Sequence, residues 1–163
     1  AYKQGFDKIF SQVEFLLEMD ADLSHQPKYF PEFLRLAKNG YDLVIGSRYT
    51  SGGGVENWSW DRRLISRLGS LYARLILGVN VRDFTGGYNL YRSSIFEKLS
   101  IDSIRAEGYL FQIELKYKTI RLGYRFIESP IIFPDRSRGQ SKMSGHIFWE
   151  AFFGVLKLRL GRI

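Results

Sequence analysis

The chain has 163 residues, with 24 Lys and Arg against 17 Asp and Glu, a net charge of +7 and no cysteine. That length, at 45% hydrophobic and 16% aromatic residues, fits one globular domain with a sizeable core and excludes a disulfide framework or a thiolate metal site. The basic balance points to anionic partners, while nothing reads as a signal peptide and no run of about 20 apolar residues encodes a membrane-spanning helix.

The opening stretch "AYKQGFDKIFSQV" reads as the middle of a helix, with Phe6, Ile9, Phe10 and Val13 on one face. Val13 to Met19 reads as a buried strand. Pro27 suits a helix start, followed by Tyr29, Phe30, Phe33, Leu34 and Ala37 at helical spacing, and Asn39–Gly40 ends that helix. "YDLVIGSR" is a second short buried strand running into a loop, and "TSGGGVENWS" is rich in turn residues. From Asp61 a long helix is expected. Leu64, Ile65, Leu68, Leu71, Tyr72, Leu75 and Ile76 form an amphipathic stripe, with Arg62, Arg63, Ser66, Arg67, Ser70 and Arg74 off it and Gly78 as its stop. "DFTGGYNLYR" holds a turn and a strand, and Ser93 or Ser94 can cap a short helix at "SIFEKL". "YLFQIELKYKTIRLG" is a further helix, "YRFIESPIIF" a strand bent or edged by Pro130, "DRSRGQSKMS" a basic loop, and "IFWEAFFGVLKLRL" a closing aromatic-rich helix. Strands alternating with helices predict an α/β fold with a mostly parallel sheet flanked by helices.

In open parallel sheets ligands sit beyond the C-terminal ends of the strands. Asp20 and Asp22 fall there, one residue apart, after a greasy strand. If the segment is extended, both carboxylates point one way and repel unless a cation joins them. A hard divalent ion, Mg²⁺ or Mn²⁺, is held by one or two carboxylates plus substrate phosphates. The alternative is a solvated turn in which Asp22 or Ser24 caps the next helix. Arg48 ends the second strand, and Arg62 and Ser66 lie four apart on one helix face, a set matched to phosphate oxygens unless it is merely solvated. Arg136, Arg138, Ser141 and Lys142 form a second basic cluster around Gly139. Asp83, before Gly86–Gly87, is open to three roles: base, sugar-hydroxyl partner or turn residue. No Ser-His-Asp arrangement, H-E-x-x-H or phosphate-binding G-x-x-x-x-G-K-[ST] occurs. The aromatics fall at core-periodic positions and no RNA-binding signature is present, so nucleic acid is not an expected partner.

Six segments occur in order: "MDADLSHQP", "VIGSRYTSGGGV", "RRLISRLGSLYARLILG", "DFTGGYNLYR", "EGYLFQIEL" and "PDRSRGQSKMS". Together, over nearly all of the chain, they resemble the dolichol- and polyprenol-phosphate mannose synthases of glycosyltransferase family 2. The resemblance implies a Rossmann-like GT-A domain and inverting transfer of mannose from GDP-mannose to dolichyl or polyprenyl phosphate, assisted by Mg²⁺ or Mn²⁺. It implies metal binding at Asp20 and Asp22. Some members carry a Gln ligand where this chain has Ser24, leaving Ser24, water or Gln26 to substitute. It implies acceptor-phosphate binding at Arg48, Arg62 and Ser66, a catalytic role at Asp83, and a loop over the donor and acceptor phosphates carrying Arg136, Ser141 and Lys142.

Against the family pattern, residues 1–163 read as a single partial domain, the C-terminal portion, whose N-terminal nucleotide-binding half is missing. A lipid acceptor requires contact with a membrane. The 144–163 helix fits a peripheral, amphipathic contact through Trp149, Phe152, Phe153, Leu156 and Leu160, with Lys157, Arg159 and Arg162 for anionic head groups; packing on the sheet is its alternative. The expected location is the cytoplasmic face of a membrane, with room for a membrane-anchor subunit. Two rival readings remain: a polyprenyl-phosphate glucosyltransferase using UDP-glucose, and a non-catalytic domain that binds lipid phosphate.

Overall fold

The computed structural model describes residues 2–106, 108–135 and 145–161. In chain order it has helix α1 (Tyr2–Ile9), strand β1 (Phe15–Glu18), helix α2 (Phe30–Lys38), strand β2 (Leu43–Ser47), strand β3 (Gly54–Val55) and helix α3 (Trp60–Leu77). Strand β4 (Asn89–Arg92), helices α4 (Ile95–Lys98) and α5 (Gly108–Arg121), strands β5 (Phe126–Pro130) and β6 (Ile132–Phe133), and helix α6 (Gly145–Arg159) follow.

Four strands form one sheet in the order β1-β4-β2-β5, and β3 pairs with β6 separately. The side-chain period of two along each strand divides the core into two layers. Leu16, Leu43, Ile45 and Tyr91 face a cluster filled by Phe6 of α1, Ala73 and Leu77 of α3, Leu115 of α5 and Val155 of α6. Val44 and Leu90, one residue out of phase, face the opposite cluster with Phe33 and Ala37 of α2. The fold is therefore α/β with helices on both faces of the sheet.

The expectation of a mostly parallel sheet needs correction. β2 and β5 are parallel, but β4 runs antiparallel to both β1 and β2, so the sheet is mixed. The cause is the route of the chain. It leaves the C-terminal end of β2, runs through α3 and the 78–88 connection, and re-enters the sheet from that same end. The consequence is functional: the C-terminal ends of β1, β2 and β5 and the N-terminal end of β4 share one edge.

The turn-rich segment after β2 is pinned by the parallel pairing of Gly54 with Ile132 and Val55 with Phe133. Pro130 closes edge strand β5, where the missing donor is tolerated. Gly78 ends α3 in the left-handed conformation, φ 68°. Neither expected cap on α4 forms: Ser94 makes no side-chain cap bond, and the Ser93 hydroxyl donates to the Val13 carbonyl.

The apolar stripe on α3 does not turn wholly inward. Ser70, Ala73 and Leu77 are buried, and Tyr72 and Ile76 pack on the core, whereas Leu64, Ile65, Leu68, Leu71 and Leu75 are exposed. On neighbouring α6, Val155 and Leu158 are buried while Trp149, Phe153 and Leu160 face outward. Tyr72 ties the two helices, donating to the Phe152 carbonyl at 2.9 Å and stacking on its ring at 4.5 Å. No helix among the described residues is long and apolar enough to cross a membrane.

α6 approaches α5 closely at Gly154, where a Cβ would stand 2.2 Å from Leu110 Cδ2. Gly154→Val should therefore overpack this contact and lower the unfolding free energy by about 1–3 kcal/mol, measured as a fall in the denaturant midpoint.

Candidate functional site

Three loops and one strand end meet at the shared edge of the sheet. The first loop follows β1. It is not extended: the chain bends from Ala21 to Leu23, and Leu23 is 77% exposed with φ 68°. That backbone conformation is costly for a branched side chain and marks a constrained loop. The two carboxylates accordingly take different partners. Asp20 Oδ1 accepts the Tyr2 hydroxyl at 2.8 Å, and Asp22 Oδ1 accepts the Ser24 backbone N–H at 3.0 Å and the Ser24 hydroxyl. Burial, reinforced by the bond to Asp20, pushes the Tyr2 phenol pKa up, so it stays a donor.

His25, three residues after Asp22, is 2% exposed. Its Nδ1 accepts the Asp20 N–H at 2.7 Å, and its ring stacks on Tyr88 at 4.8 Å and meets the Phe133 edge at 5.2 Å. The histidine thus anchors the loop carrying the carboxylates. The Gln26 carbonyl accepts the Tyr88 hydroxyl.

The second loop follows β2. Ser47 Oγ accepts the N–H groups of Tyr49 and Thr50 and turns the chain. Arg48 is 8% exposed and is fully oriented by Asp83, which is 0% exposed. Arg48 Nε and Nη2 donate to the two Asp83 oxygens at 2.7 Å each, and the Arg48 backbone N–H donates to Oδ2 at 2.9 Å. Nη2 also reaches Thr85 Oγ1 at 2.9 Å. This is the bidentate fork that arginine makes with a planar oxyanion. Burial alone would raise the Asp83 pKa, but the charge and hydrogen bonds of Arg48 outweigh it and hold the carboxyl below its usual value.

The third loop precedes β4. The N–H groups of Arg82 and Asp83 both donate to Glu128 of β5 at 3.0 Å, and Gly86 N–H donates to Asp83 Oδ1 at 3.0 Å. A Cβ on Gly86 would press on the Asp83 carboxylate at 3.3 Å.

Two aromatic side chains, Tyr49 and Trp58, gather the rest. The Arg48 guanidinium lies 5.1 Å from the Tyr49 ring and 5.4 Å from the Trp58 ring. Arg62 packs over Trp58 at 3.9 Å and pairs with Asp135 at 2.5 Å. Tyr49 donates to Ser66 Oγ at 2.6 Å. Arg48, Arg62 and Ser66 are thus brought into one neighbourhood. Arg136, Ser141 and Lys142 lie outside the described residues.

Beneath the edge lies a buried polar network of Glu18, Asn89 and Gln112. Glu18 is 0% exposed and accepts Asn89 Nδ2 at 2.8 Å and Gln112 Nε2 at 2.5 Å. Burial raises its pKa against those hydrogen bonds. These residues stand at 18, 89 and 112, so linear spacing carries no signal.

Asp20 and Asp22 can be tested as a metal handle. Among the described residues no group of three His, Cys, Asp or Glu could hold a metal ion. Two partly exposed carboxylates on one loop are a donor set that fits a hard ion completed by phosphate oxygens and water, not a cage built from protein alone.

Residues 1–100 match the family described as Glycosyl transferase family 2. The chain is 46% identical over 142 residues to the undecaprenyl-phosphate mannosyltransferase of Micrococcus luteus, covering 87% of this chain and 58% of that protein. It is 43% identical over 156 residues to the polyprenol monophosphomannose synthase of Mycolicibacterium smegmatis, covering 95% of this chain and 59% of that one. The chain thus spans less than two thirds of the length of these relatives. In fold it is similar to the crystal structure of glucosyl-3-phosphoglycerate synthase from Mycobacterium tuberculosis in complex with uridine diphosphate, with a TM-score of 0.59 at 18% identity, covering 99% of this chain and 53% of that one.

The Asp83–Arg48 pair sets an acid dependence. A carboxyl whose pKa is lowered by folding contributes stability that is complete above its unfolded value, about 3.9, and is lost as pH falls towards the folded value. Asp83→Asn should cost about 3–5 kcal/mol at pH 7, and that cost should shrink below about pH 4. Denaturant titrations of both proteins between pH 3 and 7 measure it.

Proposed function

The chain belongs to glycosyl transferase family 2, and from that premise we propose that the whole protein transfers mannose from GDP-mannose to the phosphate of a dolichyl or polyprenyl lipid, with inversion at the sugar's C1. The observation that carries the reading is a juxtaposition. An oriented arginine cluster, Arg48 with Arg62 and Ser66, adjoins a helix whose outward face is apolar at Leu64, Ile65 and Leu68. Arginine and hydroxyl donors beside an apolar face suit an anionic head on a greasy tail. The names of the two relatives, both polyprenyl-phosphate mannosyl enzymes, support the same acceptor.

The chemistry asks little of a general base. A phosphate monoester is largely dianionic near pH 7. The difficulty is bringing that anion up to a donor diphosphate. Arg48, Arg62 and Ser66 neutralise it and aim one oxygen at C1; the new C1–O bond forms as the bond to the diphosphate breaks. Asp83 serves this step through Arg48, by fixing the plane of its guanidinium. Asp20 and Asp22 would hold Mg²⁺ or Mn²⁺, which neutralises charge on a departing diphosphate when bound. Arg136, Ser141 and Lys142 remain candidates for contacts to the donor and acceptor phosphates.

The acceptor's tail directs the protein to a bilayer, on whose cytoplasmic face the nucleotide sugar is met. Leu64, Leu68 and Leu75 of α3, which are 48%, 52% and 70% exposed, with Trp149 and Phe153 of α6, would rest on the lipid surface. The exposed cations Arg63, Arg67, Lys157 and Arg159 alternate with them and suit anionic head groups. A membrane-anchor subunit is compatible with this arrangement.

Transfer of labelled mannose to polyprenyl phosphate by the whole encoded protein, with Mg²⁺ or Mn²⁺, tests the reading. Wild type should be active, Asp22→Ala should lose activity, and Arg48→Met should lower kcat/KM by about a hundredfold or more. Turnover of UDP-glucose in place of GDP-mannose would overturn the sugar, and no turnover of either would leave a lipid-phosphate-binding domain. For the membrane face, Leu68→Glu should weaken co-sedimentation with anionic vesicles by about tenfold, the equivalent of one apolar side chain's burial, without changing the fold by circular dichroism.

A further inference from the structure

α5 carries a lysine where an α/β core would ordinarily take an apolar side chain. Lys116 is 0% exposed. Its Nζ donates to three backbone carbonyls of one loop, those of Asp83 at 3.1 Å, Phe84 at 3.1 Å and Gly86 at 2.6 Å. An ammonium has three N–H donors, and all three are spent on a single stretch of four residues. A lysine is almost never fully buried unless paired, because desolvation of its charge is costly. Burial pulls its pKa down, while the nearby charges of Asp83 and Glu18 favour the protonated form.

Three carbonyl dipoles converging on one interior point repel each other in the absence of a cation. Lys116 therefore sets the curl of residues 83–86 from inside. The outer side of the same curl is the Asp83 carboxylate, capped by Gly86 N–H and forked onto Arg48. Asn89 Nδ2 joins the two levels, reaching Glu18 Oε2 at 2.8 Å and the Gly86 carbonyl at 3.3 Å. The chain of contact runs from Lys116 Nζ to the loop carbonyls, to Asp83, to the Arg48 guanidinium.

We propose that Lys116 is a positioning residue for acceptor binding: its buried ammonium holds the 83–86 loop in the one shape that presents Asp83 to Arg48, and so fixes the guanidinium that meets the lipid phosphate. This rests on the reading that Arg48 contacts that phosphate. Lys116 touches neither substrate and moves no proton.

The test uses the whole encoded protein and separates the two substrates. Lys116→Met keeps most of the side chain's length, one atom short, and removes its charge and donors. It should raise KM for polyprenyl phosphate by about 10- to 100-fold, the scale of a small misplacement of a binding group, and leave KM for the nucleotide sugar within about twofold. Lys116→Gln, which retains two donors at shorter reach, should show a smaller effect of the same kind, and carries the test if Lys116→Met does not fold. Ile113→Val trims the same helix on apolar atoms alone and should lower the melting temperature without changing the ratio of the two KM values. Equal shifts in both KM values, or an unchanged acceptor KM in a folded Lys116 variant, would overturn the proposal. Failure of wild type itself to use polyprenyl phosphate would instead remove the functional reading on which it rests.

Discussion

A buried ion pair, Arg48 with Asp83, is the constraint around which the sheet edge is organised. Taking a guanidinium and a carboxylate out of water costs several kcal/mol per ion, and is recovered only when geometry is good and the remaining donors and acceptors are satisfied. Here they are. The carboxylate accepts from the Arg48 side chain, the Arg48 backbone and Gly86 N–H, while the guanidinium reaches Thr85 and lies beside the rings of Tyr49, Trp58 and Phe133. Much of the surrounding polar architecture serves this pair. Glu128 holds the N–H groups leading into Asp83, and Lys116 holds the carbonyls leading out.

Topology makes such a cluster available. With β4 reversed between β1 and β2, loops separated by tens of residues open at one edge: the carboxylate loop after β1, the arginine turn after β2 and the Asp83 loop before β4. The parallel β3–β6 pair brings Trp58 and Phe133 over the same edge. α3 then links site and surface. Arg62 and Ser66 lie at its N-terminal end near Trp58 and Tyr49, and its next turns carry the exposed leucines. One helix thus spans the interval between the arginine cluster and an apolar face.

Much of this was legible in the sequence. β1 and β2 stand out as apolar runs between breakers, α2 and α5 as periodic segments closed by glycine, and Asp20, Asp22, Arg48, Arg62 and Ser66 as polar groups at element ends. What stayed hidden is long-range. The direction of β4 depends on the route of the 78–88 connection, which local pattern does not encode. The stripe on α3 was visible, but periodicity identifies a face without saying what covers it, and five of its residues are exposed. The bend at Leu23 displaced the picture of two carboxylates on an extended segment. Lys116, Glu18, Gln112 and Asn89 carry no local sign of a shared role; only their meeting in the core gives them one. Tyr49 and Trp58 were assigned no role, although aromatics beside arginines near strand ends are a usable signal.

Asp83 is proposed to act through Arg48. A double-mutant cycle tests it: Arg48→Met, Asp83→Asn and the combination, each read as kcat/KM for polyprenyl phosphate in the whole encoded protein. If the account is right, the losses are strongly non-additive, and the double variant is about as impaired as Arg48→Met alone. If the two losses add, Asp83 has an independent part in the reaction and the account is wrong.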